Sequence, residues 1–347
     1  MFFASDNCGP AHPQVMQALF DANQGYAPAY GDDTLMDQVT DRIRAMFEAP
    51  QAAVYLVATG TAANALALST LTRPWQRIYC AALAHIEIDE CNAPEFFAGA
   101  AKLTLVGDSD KMSPGALETA IVNSFRGDVH SAQPGPVSIT NVTERGHVYS
   151  IGEIRALTAV ARSHDCPVHL DGARFSNAVV ALGCTPAEMT WKSGIDVVCF
   201  GGTKNGCTGV EAVIFFDPKH AWEFELRRKR AAHLLSKHRY LSAQMLAYLT
   251  DDLWHRSATS ANANAARLAA GLRTVPKAHF LADPQANMIF ATLPRAAHQR
   301  LRKAGAMYEL KGDLEGDINQ AIGMRLVCDW SISEAHIDQF IRIAGDV

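Results

Sequence analysis

Lys204 is the first candidate for a reactive group in this sequence. It follows the apolar run 197–200 and a pair of glycines, a pattern that predicts a buried strand ending in a tight turn. A lysine that loses hydration at the end of a buried strand has a depressed pKa, so its amine becomes a nucleophile toward an aldehyde. Taken alone, the residue also fits the simpler interpretation of a solvated turn lysine.

Asp171 ends another predicted strand. In the stretch Pro167-Val-His-Leu-Asp171-Gly-Ala-Arg174, the glycine allows a sharp bend directly after the acidic residue. The carboxyl ends of parallel strands meet at one edge of a sheet, so Asp171 and Lys204 can reach the same crevice. A capping aspartate beside a surface arginine is the alternative interpretation.

A helix start supplies a candidate anion site. The predicted strand 53–57 is followed by Thr59-Gly-Thr61 and then by good helix formers at 62–71. The exposed N–H groups of a helix start and nearby hydroxyls can hold a phosphate. An ordinary helix cap explains the same residues.

These three features together are what pyridoxal phosphate requires. Its aldehyde reacts with a lysine, its pyridine nitrogen needs a carboxylate to stay protonated as an electron sink, and its phosphate binds a helix N-terminus. Lys204, Asp171 and residues 59–61 supply these groups in turn. We therefore predict a pyridoxal-phosphate site.

Three further polar residues are predicted at strand ends or just beyond them: His85, His130 and Glu144. Strand ends are where ligands of such sheets bind. A single histidine in a loop is more often structural or solvated than catalytic, so neither histidine carries the prediction alone.

The elements that must position these residues follow an α/β pattern. Predicted strands alternate with helical patterns, which predicts a mainly parallel sheet flanked by helices. From about residue 248 the pattern changes to a small α+β unit with strands at 288–293 and 324–329. We divide the chain into an N-terminal arm with a large domain, 1–247, and a small C-terminal domain, 248–347.

Length, charge and cysteine pattern limit the classes of partner. The chain has 347 residues, a net charge of -5 and no basic stripe, which disfavours nucleic acid and membrane surfaces. We therefore expect a small-molecule substrate. The eight cysteines form no Cys-x-x-Cys, so we predict no metal and expect reduced core cysteines of a cytoplasmic protein. The N-terminal residues lack an export signal, and no apolar stretch reaches membrane length.

The sequence resembles the low-specificity L-threonine aldolases along essentially its whole length. These are pyridoxal-phosphate enzymes of fold type I, the architecture of aspartate aminotransferase. The stretches that carry the resemblance are Phe3-Ala-Ser-Asp-Asn7, Ala29-Tyr-Gly-Asp-Asp33, Thr59-Gly-Thr-Ala-Ala-Asn64, Ala84-His85, His169-Leu-Asp-Gly-Ala-Arg-Phe-Ser-Asn177, Phe200-Gly-Gly-Thr-Lys-Asn-Gly206 and Met324-Arg325. Each stretch alone is weak, whereas the ordered set is specific.

The resemblance implies roles for the residues around the cofactor. Lys204 resembles the lysine that forms the Schiff base, and Asp171 the partner of the pyridine nitrogen. His85 resembles the imidazole that stacks on the cofactor ring. The phosphate cradle is matched by Gly60 and Thr61. In addition, Arg174 resembles the arginine near the cofactor's phenolic oxygen and the substrate.

The resemblance also implies a substrate site and a subunit interface. Ser5 and Arg325 resemble the groups that fix the substrate carboxylate, a task suited to the planar guanidinium fork. His130 falls where the family has a second histidine near the substrate hydroxyl. Lys229, with Lys237 as an alternative, matches a region that reaches a cofactor phosphate across a subunit interface. We therefore expect a homodimer with shared active sites, assembled further into a tetramer.

The activity implied is reversible cleavage of L-threonine, L-allo-threonine and related β-hydroxy-α-amino acids such as phenylserine to glycine and an aldehyde. His85 or His130, directly or through water, is the implied base. A transaldolase, an aminotransferase or a decarboxylase of the same fold remains open, because the pocket decides which bond breaks. A cofactor-free α/β binding domain is the alternative outside this class, although the sequence has no Gly-x-x-x-x-Gly-Lys-Ser/Thr, Gly-x-Gly-x-x-Gly or His-Glu-x-x-His.

Overall fold

A computed structural model describes residues 1–346, in which the strands form two sheets. The strands are β1 (Ala53–Val57), β2 (Arg77–Ala81), β3 (Lys102–Val106), β4 (Val137–Thr140), β5 (Val168–Gly172), β6 (Val197–Gly201), β7 (Glu211–Phe215), β8 (His279–Phe280), β9 (Met288–Pro294), β10 (Glu309–Lys311) and β11 (Ala321–Val327).

The helices cover these sheets. They are α1 (Pro13–Ala22), α2 (Thr34–Met46), α3 (Gly60–Leu71), α4 (His85–Ile88), α5 (Ala93–Phe97), α6 (Pro114–Val122), α7 (Ile151–Ser163), α8 (Phe175–Leu182), α9 (Pro186–Met189), α10 (Ala221–Arg230), α11 (Arg239–Leu249), α12 (Leu253–Leu272), α13 (Arg295–Lys303) and α14 (Glu334–Gly345). Over residues 1–346, no helix is both long and apolar enough to cross a bilayer.

The large sheet has seven strands in the order β1-β7-β6-β5-β4-β2-β3. All neighbouring pairs are parallel except those of β7, which runs antiparallel to β1 and β6. Strands β4 to β7 are buried along their whole length, because helices cover both faces. The predicted α/β class with a mainly parallel sheet is confirmed.

The strand β1 shows how the two faces are built. Tyr55 and Val57 pack with α3 in one apolar cluster, whereas Val54 and Leu56 point to the opposite face and pack in the main core. This alternation follows from the two-residue period of a strand. Since both faces are apolar, β1 reads as a continuous hydrophobic run in the sequence.

The C-terminal sheet is antiparallel, in the order β10-β11-β9-β8. The first residues of the chain pack against it: Phe3 is fully buried, donates its N–H to the carbonyl of Met307 at 2.7 Å and accepts the N–H of Val327 at 2.8 Å. The helix α12 contributes Leu253 to the main core and Ala265 to the C-terminal core. The division of the chain at residues 247 and 248 stays a prediction.

Element boundaries differ from the predictions in a few places. The strand predicted for 324–329 is β11, Ala321–Val327, and the helix predicted for 62–71 begins two residues earlier, at Gly60. The short elements α4, α5, β8 and β10 were not predicted. Elements of two to five residues carry too few side chains to show a period, so only their packing partners define them.

The cysteines lie partly outside the core. All eight are free thiols, but Cys8 and Cys91 are exposed and Cys184 is half-buried. The prediction that all eight are core residues is therefore wrong for these three. Burial raises the pKa of the Cys80 thiol to about 12 and that of Cys166 to about 11, so these two stay protonated.

Candidate active site

Lys204 lies in a single turn of 3₁₀ helix, Thr203–Asn205, directly after β6. The pKa of the Lys204 amine lies below the ordinary value. The positive charge of Arg174 is the main cause, and burial of the amine is the second. Within residues 1–346, its Nζ has no hydrogen-bond or ion-pair partner. The sequence prediction of a strand-tip lysine with a depressed pKa thus matches the geometry, and the amine is available to an electrophile.

Asp171 is the fourth residue of β5 and pairs with Cys199 of the neighbouring strand β6. Its Oδ1 accepts the N–H of Ala173 at 3.0 Å, and its Oδ2 accepts the side-chain amide of Asn64 at 3.1 Å. Since β5 and β6 are parallel neighbours, Asp171 and Lys204 lie at the same edge of the sheet.

The start of α3 faces this edge. Thr59 caps the helix by accepting the N–H of Ala62 at 3.2 Å, and the first two helical residues are Gly60 and Thr61. A Cβ added at Gly60 would meet no atom within 4 Å, so the space beside Gly60 at the helix start is open. Asn64, one turn further on, reaches Asp171. The helix start and the carboxylate therefore border one crevice.

His85 is connected to Asp171 through a chain of side chains. Its Nδ1 lies 2.7 Å from Oε1 of Glu90, and the same oxygen accepts the amide of Asn64 at 2.8 Å. The hydrogen bond to Glu90 raises the pKa of His85 against the effect of burial, and the charge of Asp171 adds to the increase. Burial raises the pKa of Glu90, partly offset by His85.

Arg174 is held by Asp6 in a buried bidentate ion pair. Its Nε donates to Oδ2 of Asp6 at 2.7 Å and its Nη2 to Oδ1 at 2.9 Å. Burial alone would raise the pKa of Asp6, but Arg174 outweighs it and holds the pKa below the ordinary value. Nη1 of Arg174 has no hydrogen-bond partner among residues 1–346. The neighbouring Ser5 accepts the N–H of Asn7 at 3.1 Å, which leaves its hydroxyl hydrogen free.

A tight turn after β4 carries Glu144 toward the same crevice. The N–H of Gly146 donates to the carbonyl of Thr143 at 2.9 Å, and Asp110 accepts the hydroxyl of Thr143 at 2.5 Å and binds His147 at 2.7 Å. The charge of Glu144 raises the pKa values of His85 and Arg174, though less than their direct partners do. The sequence placed Glu144 at a strand end, which the turn explains.

Arg325 lies on β11, at the boundary with the large sheet. Its Nη1 is 3.3 Å from Oε2 of Glu309, and its Nη2 is 3.7 Å from Sδ of Met288. A Cβ added at Gly146 would lie 3.3 Å from Cβ of Met288. The Arg325 guanidinium is therefore separated from the Glu144 turn by one methionine side chain.

His130 lies at the amino ends of the strands, at the edge of the large sheet opposite to Asp171 and Lys204, whereas a strand end at their edge was predicted. It is exposed in the loop between α6 and β4, and Gln133 of that loop accepts the N–H of Arg77 at 2.8 Å. Arg77 begins β2, so the loop adjoins the amino ends of β2 and β4. The prediction that His130 follows a strand is wrong, because residues 126–133 precede one. The chain does not bring His130 to its own site.

The two candidate lysines of the basic segment 227–237 are on the surface. Lys229 and Lys237 are exposed, and Nζ of Lys229 lies 4.8 Å from the ring centre of Tyr30. Neither lysine hydrogen-bonds the start of α3 within the described part of the chain. A role for either across a subunit interface stays a prediction.

Four residues of the site were not assigned a role from the sequence: Asp6, Asn64, Glu90 and Glu211. Asn64 is a buried amide on the helix α3, whose other polar side chains are the hydroxyls of Thr61, Ser69 and Thr70, which is a usable signal for a functional side chain. Glu211 opens an apolar strand and is 6% exposed. Glu90 carried no such signal, because it closely follows two other acidic residues, Glu87 and Asp89.

Pyridoxal phosphate fits these residues. The crevice offers an amine with a depressed pKa, a buried carboxylate and a helix start with open space beside Gly60. In addition, Oδ1 of Asn64 and Oε2 of Glu90 are buried without a partner in the protein, as expected where a bound group completes the hydrogen bonding. Lys204, Asp171, Gly60 and Thr61 are the residues that would hold it.

Comparison with known proteins gives consistent matches over the whole chain. The β-eliminating lyase family matches residues 3–294. A low specificity L-threonine aldolase from a Pseudomonas strain is 40% identical over 99% of this chain and 96% of the relative, and one from Pseudomonas aeruginosa is 39% identical with the same coverage.

Solved structures share the fold. The threonine aldolase of Leishmania major has a TM-score of 0.90 at 24% identity, covering 99% of this chain and 98% of that chain. A serine palmitoyltransferase of Sphingomonas wittichii has a TM-score of 0.73 at 16% identity, covering 99% and 86%. At these identities the matches show the architecture, which is that of fold type I.

Proposed function

This chain belongs to the β-eliminating lyase family, among its low-specificity L-threonine aldolases, and from that premise we propose that it cleaves β-hydroxy-α-amino acids to glycine and an aldehyde. The substrates are L-threonine, L-allo-threonine and related compounds such as phenylserine, and the cleavage of the Cα–Cβ bond is reversible. The observation that carries the proposal is the meeting of Lys204, Asp171 and the start of α3 in one crevice. The matches do not favour a transaldolase, an aminotransferase or a cofactor-free domain.

The cofactor is pyridoxal phosphate, which supplies an electron sink for the electron pair of the breaking bond. Lys204 would bind its aldehyde carbon, and Asp171 would keep its pyridine nitrogen protonated. Gly60 and Thr61 donate N–H groups to the phosphate. His85 would lie against the cofactor, and its hydrogen bond to Glu90 would maintain the orientation of the imidazole.

The substrate carboxylate is bound by Arg325 and Ser5. The guanidinium provides two parallel N–H donors and the serine an O–H donor. Nη1 of Arg174 provides a further donor at the crevice, while Asp6 keeps the rest of that side chain in place. Fixing the carboxylate orients the Cα–Cβ bond, and this orientation selects which bond breaks.

His85 is the base for the β-hydroxyl group. Its Nδ1 is engaged by Glu90, which leaves Nε2 to accept the hydroxyl proton as the aldehyde leaves. Glycine forms when Cα receives a proton in place of the aldehyde. A contribution of His130 would require a second subunit, because its own chain holds it at the opposite edge.

The proposed assembly is a homodimer with shared active sites, paired into a tetramer in the cytoplasm. Support comes from the large apolar side chains on the surface, among which Tyr26, Phe96 and Trp222 are at least two-thirds exposed. Exposed aromatic patches mark interaction surfaces. Light scattering after gel filtration measures the assembly, and a monomeric mass would contradict it.

An absorption spectrum tests the cofactor, and product analysis tests the reaction. We expect a band in the violet region that borohydride bleaches and that a Lys204→Ala variant lacks. Incubation with L-threonine should then release equal amounts of glycine and acetaldehyde without any keto acid. A colourless protein after addition of pyridoxal phosphate would refute the cofactor, whereas formation of a keto acid would indicate an aminotransferase.

A further inference from the structure

Glu211 is a buried carboxylate that contacts the turn carrying Lys204. Its Oε2 accepts the N–H of Gly202 at 3.0 Å, and its Oε1 accepts the hydroxyl of Thr203 at 2.6 Å. The hydroxyl of Thr203 also accepts the N–H of Val210 at 3.3 Å. These contacts fix both residues that immediately precede the lysine.

The position of Glu211 places it between two parts of the active site. It is the first residue of β7, where it pairs with Gly201 of β6 on one side and with Val57 of β1 on the other. The strand β6 leads to Lys204, and β1 leads to the start of α3. Glu211 therefore stands between the segment that presents the amine and the segment that would hold the phosphate.

The turn has little room to rearrange around this carboxylate. A Cβ added at Gly202 would lie 2.7 Å from the carbonyl oxygen of Val210 and 3.2 Å from Sγ of Cys207. Because nothing larger than glycine fits, the backbone at Gly202 has one close-packed arrangement. Without the Glu211 acceptor, the N–H of Gly202 would keep a single acceptor, the carbonyl oxygen of Val210 at 3.2 Å.

From these contacts we propose that Glu211 is a positioning residue for Lys204. Its carboxylate fixes the Gly202-Thr203 turn and supplies a negative charge behind the lysine amine. The inference rests on the proposed role of Lys204 as the residue that holds the cofactor. It does not require threonine to be the substrate.

The titratable groups around Glu211 determine what its ionisation can affect. The pKa of Glu211 is raised to about 7, mainly because the carboxyl is buried. The hydrogen bonds from Thr203 and Gly202 and the charge of Lys204 lower this pKa, and the charge of Asp171 raises it further. The other titratable groups that its charge affects are Cys199, Cys207 and Tyr248, and burial raises the pKa of each. Those three stay neutral, so Lys204 is the cation that interacts with Glu211. The charges with the largest effects on the Lys204 amine itself are those of Arg174, Asp6, Asp171 and Glu144.

Two variants and one control test this inference in the enzyme loaded with pyridoxal phosphate. Glu211→Gln removes the charge and keeps the shape, and Thr203→Val removes one donor without changing any charge. The control is Asp196→Asn, at the opposite edge of the same sheet. Asp196 also accepts a backbone N–H, that of Val168 at 2.7 Å, and burial likewise raises its pKa.

The main readout is the pH titration of the visible absorption band, which reports on the Lys204 nitrogen independently of any substrate. Loss of the negative charge in Glu211→Gln should move the midpoint to lower pH, because a neighbouring negative charge favours the protonated nitrogen. The value of kcat should fall about 10-fold with KM nearly unchanged, the scale of one lost charge-assisted hydrogen bond. Asp196→Asn should leave both the midpoint and kcat unchanged.

A double variant separates positioning from general loss of stability. If Glu211 and Thr203 act through one hydrogen bond, Glu211→Gln combined with Thr203→Val should lower kcat no further than the more impaired single variant. A midpoint in Glu211→Gln equal to that of the wild type would overturn the inference. If Glu211→Gln does not fold, a normal kcat in Thr203→Val overturns it instead. Absence of glycine release with a normal band would count against the substrate and not against Glu211.

Discussion

The side-chain amide of Asn64 donates a hydrogen bond of 3.1 Å to the carboxylate of Asp171. The same nitrogen donates to Glu90 at 2.8 Å, and Glu90 in turn binds His85 at 2.7 Å. One amide on α3 therefore connects the carboxylate expected to bind the pyridine nitrogen with the imidazole expected to act as the base. This connection links cofactor binding and proton transfer in the predictions below.

Removal of the amide should weaken cofactor binding. In Asn64→Ala, Asp171 and Glu90 lose a shared donor while remaining buried, and we expect the Kd for pyridoxal phosphate to rise about 10-fold, the cost of one hydrogen bond to a charged group. Fluorescence titration of the apo protein measures this. Asn177→Ala is the matched control, because Asn177 is a buried amide that binds Asn262. Equal affinities in the two variants would contradict the linking role of Asn64.

Removal of the proposed base should reduce turnover. We expect His85→Asn to lower kcat by about 100-fold or more, the usual scale of general acid-base catalysis. His130→Asn should leave kcat near the wild-type value if each chain completes its own site. A comparable loss in His130→Asn would mean that a neighbouring subunit brings His130 to the crevice, and an unchanged kcat in His85→Asn would exclude it as the base.

The pH dependence should follow the Glu90–His85 pair. Its hydrogen bond to Glu90 is the main cause of the raised pKa of His85, and the imidazole must be neutral to accept a proton. Activity should therefore rise with pH through a midpoint above 6.5, the ordinary value. Glu90→Gln should move that midpoint to lower pH. Asp89→Asn should move it less, because Asp89 is exposed and lies 3.7 Å from Nε2 of His85. A midpoint in Glu90→Gln that matches the wild type would refute the assignment.

The buried pair of Asp6 and Arg174 should matter for stability. In Asp6→Asn the guanidinium stays buried without its hydrogen-bonded counter-charge, and we expect a loss of about 3 kcal/mol in the free energy of unfolding. Since the pKa of Asp6 is lowered in the folded state, its contribution is present above the ordinary value of 3.8 and is lost as the pH falls through the folded pKa.

Urea denaturation of the apo protein measures this loss. Asp338→Asn is the control, because its pair with Arg267 is exposed on both sides and should contribute little to stability. Similar losses of unfolding free energy in the two variants would mean that burial does not strengthen the pair of Asp6 and Arg174.

Glu211 should lower stability when it ionises. Its folded pKa of about 7 lies above the ordinary 4.5, so the stability conferred by the protonated form is complete below pH 4.5 and is lost as the pH rises through about 7. Over this pH range, the free energy of unfolding of Glu211→Gln should therefore rise relative to that of the wild type, by up to about 3 kcal/mol. Urea denaturation of both apo proteins at a series of pH values tests the prediction, and a constant difference would contradict it.

Local sequence pattern was sufficient for the main elements and for the three anchors of the cofactor. The strand before Lys204, the strand ending near Asp171 and the helix after Thr59 all lie within a residue or two of their predicted bounds. Their apolar runs and the glycines that end them are local features of the sequence, so neighbouring residues are enough to define these elements. Parallel pairing then brings their ends to one edge.

Contacts between distant segments required the tertiary structure. Asp6 and Arg174 are 168 residues apart, and Asn64 and Asp171 are 107 apart, so no periodicity relates them. The order of the strands and the direction of each loop decide which polar residues meet, which is why Asp6 joined the site and His130 fell at the opposite edge. The amino-acid sequence by itself determined which chemical groups the chain carries at its strand ends. Long-range packing decided which of those groups share a crevice, because burial and pairing partners are properties of the whole fold.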